Sequence, residues 1–259
     1  MDIEQLFSIR GKVALIAGGA GDRGIGEMIA RAYVAAGAKV YIASRKVEAG
    51  DALAAELSAL GSCTSLQADL GQPDGATQLA ATMAEREPEL DVLVNNAGAS
   101  WGAPFDDDPV AGFDKVMNVN VRGVFLLTQA LAPQLRVAAS AEDPARVIDI
   151  GSIDGIHVPD LPTYAYSASK AAVHQLTRHL AKELVTDHIT VNAIAPGLFP
   201  SKLTEVLFEH EAALIESIPM GRVGQPEDIA GLAIHLASRA GAYMTGAVMP
   251  VDGGVATLK

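Results

Sequence analysis

A tyrosine and a lysine lie four residues apart in YSASK, residues 166–170, at the start of a long helical pattern. Residues four apart lie on the same side of a helix. A tyrosine with its ordinary pKa of about 10 is a poor acid at neutral pH, but a neighbouring ammonium favours the phenolate and lowers that pKa. Tyr166 and Lys170 are therefore predicted to form a proton donor for a carbonyl group that is being reduced. A tyrosine and a lysine on the surface of a helix can show the same spacing, so the prediction of a catalytic pair depends on the residues around them.

Two further polar residues are predicted near this pair. Ser152 follows the apolar run RVIDI (146–150), and open α/β sheets bind ligands at the carboxyl ends of their strands. Its hydroxyl can donate a hydrogen bond to the same carbonyl oxygen. Asn120, in MNVNVRG, is expected to begin or kink a helix near that edge and to hold Lys170 through a backbone or water contact. The predicted catalytic set is Asn120, Ser152, Tyr166 and Lys170.

The stretch AGGAGDRGIG, residues 17–26, lies between a predicted strand and a predicted helix. Glycines let the chain turn tightly and let a pyrophosphate approach the backbone amides. The helix that begins near Gly24 presents free N–H groups and the positive end of its dipole to such a group. This context predicts a dinucleotide site. Asp22 is expected to point to solvent, because a carboxylate beside the pyrophosphate would weaken binding.

The end of the second predicted strand indicates which dinucleotide binds. Sites for NAD usually carry an acidic residue there. This strand instead ends in Ser44, Arg45 and Lys46, with no carboxylate before Glu48. Cationic side chains suit a 2′-phosphate, which an acid would repel. NADPH or NADP⁺ is therefore the expected cofactor, although a solvated basic pair at a helix start would look the same.

The elements that must position these residues alternate along the whole chain between short apolar runs and helical patterns. The predicted strands are 13–17, 39–43, 63–68, 91–95, 146–150, 189–194 and 247–251, and the longest helical patterns cover 26–37, 113–136 and 167–185. Such alternation predicts right-handed βαβ units and a parallel sheet covered on both faces. We expect one α/β domain over 1–259, a doubly wound Rossmann fold of about seven strands flanked by helices.

Composition limits the classes of partner. Of the 259 residues, 49% are hydrophobic and 19% charged, enough apolar material for a large core. A net charge of −12 argues against nucleic-acid binding. The single cysteine, Cys63, excludes an internal disulfide and a cysteine-based metal cage, and no metal site is expected. The start MDIEQLFSIRGK lacks the pattern of a secretory signal, and no apolar run is long enough for a membrane span. We expect a cytoplasmic protein.

By its motifs the sequence resembles the short-chain dehydrogenase/reductase family over essentially the whole chain. The matching features are the glycine loop, NNAG (95–98), Asn120, Ser152, the YxxxK spacing of 166–170, Pro196–Gly197 and VDGG (251–254), in the expected order. Within the family, segments such as PGLFPSKLT (196–204) and IPMGRVG (218–224) are similar to NADPH-dependent β-ketoacyl reductases of the kind associated with rhamnolipid synthesis. The resemblance implies an NADP(H)-dependent oxidoreductase that reduces a hydrophobic ketone or β-ketoacyl substrate to a secondary alcohol.

The resemblance also implies a role for each matching catalytic residue. Tyr166 corresponds to the acid/base, and Ser152 to the residue that orients the substrate oxygen. Lys170 corresponds to the residue that lowers the tyrosine pKa and holds the nicotinamide ribose. Asn120 corresponds to the anchor of a proton-relay water.

For the cofactor, the resemblance implies that Asp69 contacts the adenine and that Pro196 and Gly197 shape the nicotinamide pocket. The predicted cofactor residues are Gly18, Asp22, Arg23, Gly24, Ile25, Ser44, Arg45, Lys46, Asp69, Leu70, Asn96, Ala97, Gly98, Tyr166, Lys170, Pro196 and Gly197.

Five residues are expected to select the substrate, namely Trp101, Ile156, His157, Tyr164 and Phe199. The segment 198–218, after the Pro–Gly turn, is predicted to be either a lid or a fixed surface helix. Proteins of this family usually assemble as homotetramers, so a homotetramer or a homodimer is expected.

The glycine loop departs from the family pattern Thr-Gly-x-x-x-Gly-x-Gly. Ala17 takes the place of the threonine, and five residues separate Gly18 from Gly24. A loop of that length resembles the enoyl-thioester reductases of the same superfamily, whose active-site tyrosine lies seven residues before the lysine. Here Tyr164 lies six and Tyr166 four residues before Lys170. Carbonyl reduction is the main hypothesis, and an enoyl-thioester reductase or a non-catalytic NADP-binding regulator are the alternatives.

Overall fold

A single parallel sheet organises the computed structural model, which describes residues 1–20, 23–202, 204–205 and 211–258. Within these residues seven strands pair in the order β3-β2-β1-β4-β5-β6-β7. They are β1 (Val13–Ala17), β2 (Lys39–Ser44), β3 (Ser62–Gln67), β4 (Val92–Asn95), β5 (Ala145–Ile150), β6 (Ile189–Pro196) and β7 (Val248–Val251). Each predicted strand is present, and the predicted doubly wound α/β fold is confirmed.

Helices cover both faces of this sheet. They are α1 (Ile3–Leu6), α2 (Ile25–Ala35), α3 (Val47–Ser58), α4 (Gly75–Ala84), α5 (Val110–Met117), α6 (Gly123–Ala138), α7 (Tyr164–Leu184), α8 (Glu211–Glu216), α9 (Pro226–Ala237) and α10 (Val255–Leu258). A π-helical turn, Asn118–Arg122, joins α5 to α6. It divides the helical pattern predicted over 113–136 and is the kink predicted at Asn120. Such turns are frequent at functional sites.

The hydrophobic core has one layer on each face of the sheet. Successive side chains of a strand point to opposite faces, so Leu15 and Ile16, both fully buried, belong to different layers. Because both faces are covered, β1 is a continuous apolar run rather than an alternating one. In the part of the chain that the structure describes, no helix has both the length and the apolar character needed to cross a bilayer.

The strand order fixes where a ligand can bind. β1 pairs with β2 on one side and with β4 on the other. From β1 the chain builds the sheet in one direction through β2 and β3, and from β4 it builds in the opposite direction through β5, β6 and β7. The chain therefore reverses its winding direction between β1 and β4. In open α/β sheets a crevice forms at this point, outside the carboxyl ends of the strands.

Candidate active site

A cleft of about 460 Å³ occupies this crevice. The predicted site residues that line it are Gly18, Gly24, Ile25, Ser44, Arg45, Lys46, Asp69, Leu70, Asn96, Ala97, Gly98, Ser152, Tyr166, Lys170, Pro196, Gly197 and Phe199. Most of them stand at or just after the carboxyl ends of β1 to β6, which is why residues far apart in the sequence share one cavity. Arg23 is exposed and does not line the cleft, and Asp22 lies outside the described residues.

The glycine loop is held tightly against the end of β4. Gly18 has a φ of +80°, and a Cβ there would lie 2.6 Å from the Cα of Ala97, so any other side chain would clash and strain the backbone. The Asn96 side-chain amide donates a 2.6 Å hydrogen bond to the Gly18 carbonyl, and the Asn96 backbone N–H donates to the Ala17 carbonyl at 3.0 Å. Asn96, predicted only as a cofactor contact, thus also braces a loop whose first residue, Ala17, has no hydroxyl.

The basic residues lie at the β2 end of the cleft. Ser44 is the last residue of β2, Lys46 is the N-cap of α3, and the exposed Arg45 lies between them. β2 is separated from β5 by β1 and β4, a distance of roughly 14 Å at the usual strand spacing. Arg45 and Lys46 therefore stand at one end of the cleft and the residues that follow β5 at the other.

Three of the four predicted catalytic residues share the wall at the β5 end. Tyr166 and Lys170 lie one turn apart on α7, and the Lys170 Nζ is 5.5 Å from the centre of the tyrosine ring. The same Nζ donates a 2.7 Å hydrogen bond to the main-chain oxygen of Ile150. Ser152 caps the short 3-10 turn after β5, where its Oγ accepts a hydrogen bond from the Asp154 N–H at 3.2 Å. The four-residue spacing of Tyr166 and Lys170 and the position of Ser152 after β5 together predicted this grouping.

Burial shifts the pKa values of both the tyrosine and the lysine towards their neutral forms. It raises the pKa of Tyr166 to about 12, the Ser152 hydroxyl opposes the shift, and the Asp154 charge adds to it. Burial also lowers the pKa of Lys170 to about 8. The expected net lowering of the Tyr166 pKa is therefore wrong for this structure, because desolvation of the phenolate outweighs the favourable contacts. Tyr166 is held as a protonated hydroxyl, the form that can give a proton to a carbonyl oxygen.

Asn120 lies behind the cleft and does not line it. Its Oδ1 accepts a 2.7 Å hydrogen bond from the Ala99 N–H, and its Nδ2 donates at 2.9 Å both to the Ala99 carbonyl and to the Ser169 Oγ. The side chain thereby ties the loop after β4 to α7. A role in a proton-relay water chain stays a prediction.

Of the predicted substrate residues, Phe199 lines the cleft and the others do not. Trp101 lies over Gly112 of α5, with Lys115 at 5.8 Å from its ring, and Tyr164 packs edge-on against Phe105 at 5.8 Å. Ile156 is exposed, and the His157 Nδ1 lies 3.1 Å from its neighbour's carbonyl oxygen. These four side chains do not line the cleft, and their role in selecting the substrate stays a prediction.

The segment 198–218 is described only in part, because residues 203 and 206–210 lie outside the described residues. Besides Phe199, its residues Ser201, Lys202 and Thr204 line the cleft. Residues that sequence reasoning missed include Ala99 and Val119. Both adjoin predicted residues, Gly98 and Asn120, and that adjacency was the available signal. Whether the segment is a lid stays a prediction.

The chain resembles known proteins along nearly its whole length. A family model described as enoyl-(acyl carrier protein) reductase matches residues 18–256. The chain is 54% identical to the rhamnolipids biosynthesis 3-oxoacyl-(acyl-carrier-protein) reductase of Pseudomonas aeruginosa, over 96% of this chain and 97% of the relative. It is 37% identical to the galactitol 2-dehydrogenase (L-tagatose-forming) of Cereibacter sphaeroides, over 98% of both chains.

The chain belongs to the short-chain dehydrogenase/reductase family. A solved structure of that family, the Pseudomonas aeruginosa RhlG/NADP active-site complex, matches with a TM-score of 0.94 and 52% identity, covering 97% of this chain and 99% of that one. The family resemblance stated from the motifs is confirmed, and with it the assignment to the oxidoreductases. The two relatives are named for different substrates, a 3-oxoacyl-(acyl-carrier-protein) and galactitol, so members of the short-chain dehydrogenase/reductase family differ in substrate.

Proposed function

We propose that this oxidoreductase is an NADP(H)-dependent ketoreductase that converts a β-ketoacyl compound or another hydrophobic ketone to the secondary alcohol. The observation that carries the proposal is the convergence of Ser152, Tyr166 and Lys170 on one wall of a cleft whose other end carries Arg45 and Lys46. A proton donor and a phosphate-binding end in one cavity suit carbonyl reduction with a phosphorylated dinucleotide.

The residues present fit NADP. The backbone at Gly18 leaves no room for a side chain, and α2 begins directly after this loop, so the helix N-terminus can bind the pyrophosphate. The exposed Arg45 suits the 2′-phosphate. When bound, NADPH supplies the hydride that reduces the carbonyl carbon. The solved structure with 52% identity is named as an NADP complex, which supports the same cofactor here.

The chain's own residues then handle the carbonyl oxygen. The Ser152 hydroxyl donates a hydrogen bond to that oxygen and fixes the carbonyl beside Tyr166. As negative charge develops on the oxygen, Tyr166 transfers its hydroxyl proton to it, giving the alcohol and leaving a phenolate. The ammonium of Lys170, 5.5 Å from the ring centre, stabilises that phenolate. The Tyr166 hydroxyl starts out protonated, as reduction requires, but its raised pKa makes it a weaker acid, so the proton transfer depends on stabilisation of the phenolate by Lys170.

The position of Tyr164 supports ketone rather than enoyl-thioester reduction. The matching family model carries the name of an enoyl reductase, as did the alternative drawn from the glycine loop. Tyr164, the residue nearest to the enoyl-reductase spacing, packs against Phe105 outside the cleft, whereas Tyr166 lines it. The relative with 54% identity is named for 3-oxoacyl reduction. The cytoplasmic location and the homotetramer stay predictions.

A single screen tests the proposal. NADPH oxidation is followed at neutral pH with four substrate classes: β-ketoacyl thioesters, β-ketoesters, aryl ketones and an enoyl thioester. We expect turnover with at least one ketone and none with the enoyl thioester. Turnover of the enoyl thioester alone would contradict the proposal, and NADPH binding without any turnover would favour the non-catalytic regulator.

A further inference from the structure

Asp149 of β5 is fully buried and carries a carboxylate that the steps above do not use. Its Oδ1 accepts a 2.9 Å hydrogen bond from Asn95 Nδ2, and its Oδ2 accepts one of 2.8 Å from Thr177 Oγ1. Asn95 is its register partner on β4, and Thr177 lies on α7. A buried charge is costly unless it is paired, so its presence requires a physical reason.

Lys170, which lies two turns before Thr177 on α7, gives a physical reason for this buried carboxylate. Residues seven apart on a helix lie on the same face, so Lys170 and Thr177 both face the end of β5. Thr177 binds the Asp149 carboxylate, and Lys170 binds the main-chain oxygen of the next residue, Ile150. The carboxylate and the ammonium are thus bound at neighbouring positions at the end of β5, and they interact electrostatically inside the protein, where charges are weakly screened.

Other groups around Lys170 do not supply an equivalent charge. Asp154, on the 3-10 turn, also acts on the ammonium but is partly exposed. On α7 itself, Tyr166 is neutral, and burial lowers the pKa of His174 to about 4, so this imidazole is uncharged at neutral pH. Asn120 and Gly98, from the π-turn and the loop after β4, have no ionisable side chain. Asp149 is the fully buried anion of this group.

We propose that Asp149 is a positioning residue that keeps Lys170 in its charged form during ketone reduction, a role that rests on the proposed function. Burial raises the pKa of Asp149 to about 6, while the Lys170 pKa is about 8. Between these values both groups are charged, and the carboxylate stabilises the ammonium on which the phenolate depends. Below the lower value the carboxyl is neutral, and its influence on Lys170 ends.

The substitution Asp149→Asn tests this role because it removes the charge with little change of shape. The asparagine Oδ1 can still accept from Asn95 Nδ2, and its Nδ2 can donate to Thr177 Oγ1, whose hydroxyl keeps a 2.9 Å hydrogen bond to the Val173 carbonyl. We expect the alkaline limb of the reduction pH profile to move about one unit to lower pH. Below the Asp149 pKa, the variant and the wild type should have the same rate.

Thr177→Val is the matched control, since it removes a hydrogen bond to Asp149 and keeps the charge. It should lower the Tm and leave the limb in place, whereas Asp149→Asn should move the limb without a loss of Tm. Asp149→Ser is a second neutral variant. Superimposable profiles in the folded variants would overturn the proposal. Failure of both Asp149 variants to fold would also overturn it, because it would give the carboxylate a structural role.

A second readout does not depend on turnover, so it separates a failure of this inference from a failure of the proposed function. Asp149→Asn, Lys170→Met and the double variant form a thermal double-mutant cycle. At neutral pH the double variant should have a higher Tm than Lys170→Met, because Lys170→Met alone leaves an unpaired buried carboxylate that Asp149→Asn removes. About one unit below the Asp149 pKa the losses should add. Additive losses at both pH values would show that the two charges do not interact.

Discussion

Lys170 is placed under Tyr166 by a hydrogen bond to the sheet rather than to the tyrosine. Its Nζ donates to the Ile150 carbonyl at 2.7 Å and lies 5.5 Å from the centre of the tyrosine ring. The ammonium therefore acts on the phenolate through space, and its effect depends on its own protonation. Because Lys170 is buried, its pKa falls to about 8, close to the working range of an enzyme.

The rate of ketone reduction should accordingly fall as the pH rises through about 8, the pKa of Lys170. Below this value the ammonium stabilises the phenolate left by proton transfer, and above it that stabilisation is lost. Tyr166, with a pKa of about 12, stays protonated over the same range and does not cause the fall. The measurement is kcat for reduction against pH at saturating NADPH. A profile that stays flat through two units above neutrality would contradict the assignment of Lys170.

Tyr166→Phe removes the hydroxyl proton and keeps the ring. We expect kcat to fall by roughly 10²- to 10⁴-fold, the usual contribution of a general acid. NADPH affinity, measured by fluorescence titration, should change little, because the ring that lines the cleft is retained. Tyr164→Phe is the control, since Tyr164 packs against Phe105 outside the cleft, and it should keep its activity. Loss of activity in Tyr164→Phe with retention in Tyr166→Phe would identify Tyr164 as the proton donor instead.

The fold and the centre of the site could be predicted from the sequence because both rest on local patterns. Strands buried on both faces give continuous apolar runs, such as β1 with the layers of Leu15 and Ile16 on its two sides. The spacing of Tyr166 and Lys170 places them on one side of a helix wherever that helix lies. Ser152 follows from its place at the end of such a run.

The features that sequence reasoning missed depend on tertiary packing. The pKa of Tyr166 depends on the burial of its hydroxyl, which spacing does not show. In the sequence Asp149 is one residue of the strand pattern RVIDI, and nothing local marks it, because its hydrogen bonds come from Asn95 and Thr177, far away in the chain. Trp101 is expected from the sequence to select the substrate, yet its ring packs on Gly112, because the path of a loop depends on the helix that it covers.

Arg45→Asp should shift cofactor preference from NADPH towards NADH. The cation is removed and the new carboxylate repels a 2′-phosphate, while it can accept hydrogen bonds from the ribose hydroxyls of NADH. Loss of one charged hydrogen bond corresponds to roughly a 10- to 100-fold rise in KM for NADPH. The ratio of kcat/KM for the two cofactors is the readout. Arg86→Asp, an exposed charge reversal away from the cleft, is the control. Equal ratios of kcat/KM in the two variants would show that Arg45 does not bind the 2′-phosphate.

Gly18→Ala should abolish NADPH binding. Gly11→Ala is the control that separates backbone strain from the steric clash at Gly18. Both glycines have a φ of +80°, but a Cβ at Gly11 meets nothing within 4 Å, whereas at Gly18 it would lie 2.6 Å from the Cα of Ala97. Backbone strain alone costs about 1 to 2 kcal/mol, so both variants should lose that much in the free energy of unfolding. Gly18→Ala should lose roughly 1 to 3 kcal/mol more, the usual cost of overpacking, and its loop must move away from Ala97. Urea denaturation and NADPH fluorescence titration of the two variants measure these effects. Equal losses of stability, with NADPH binding retained by Gly18→Ala, would contradict the close packing of the glycine loop on β4.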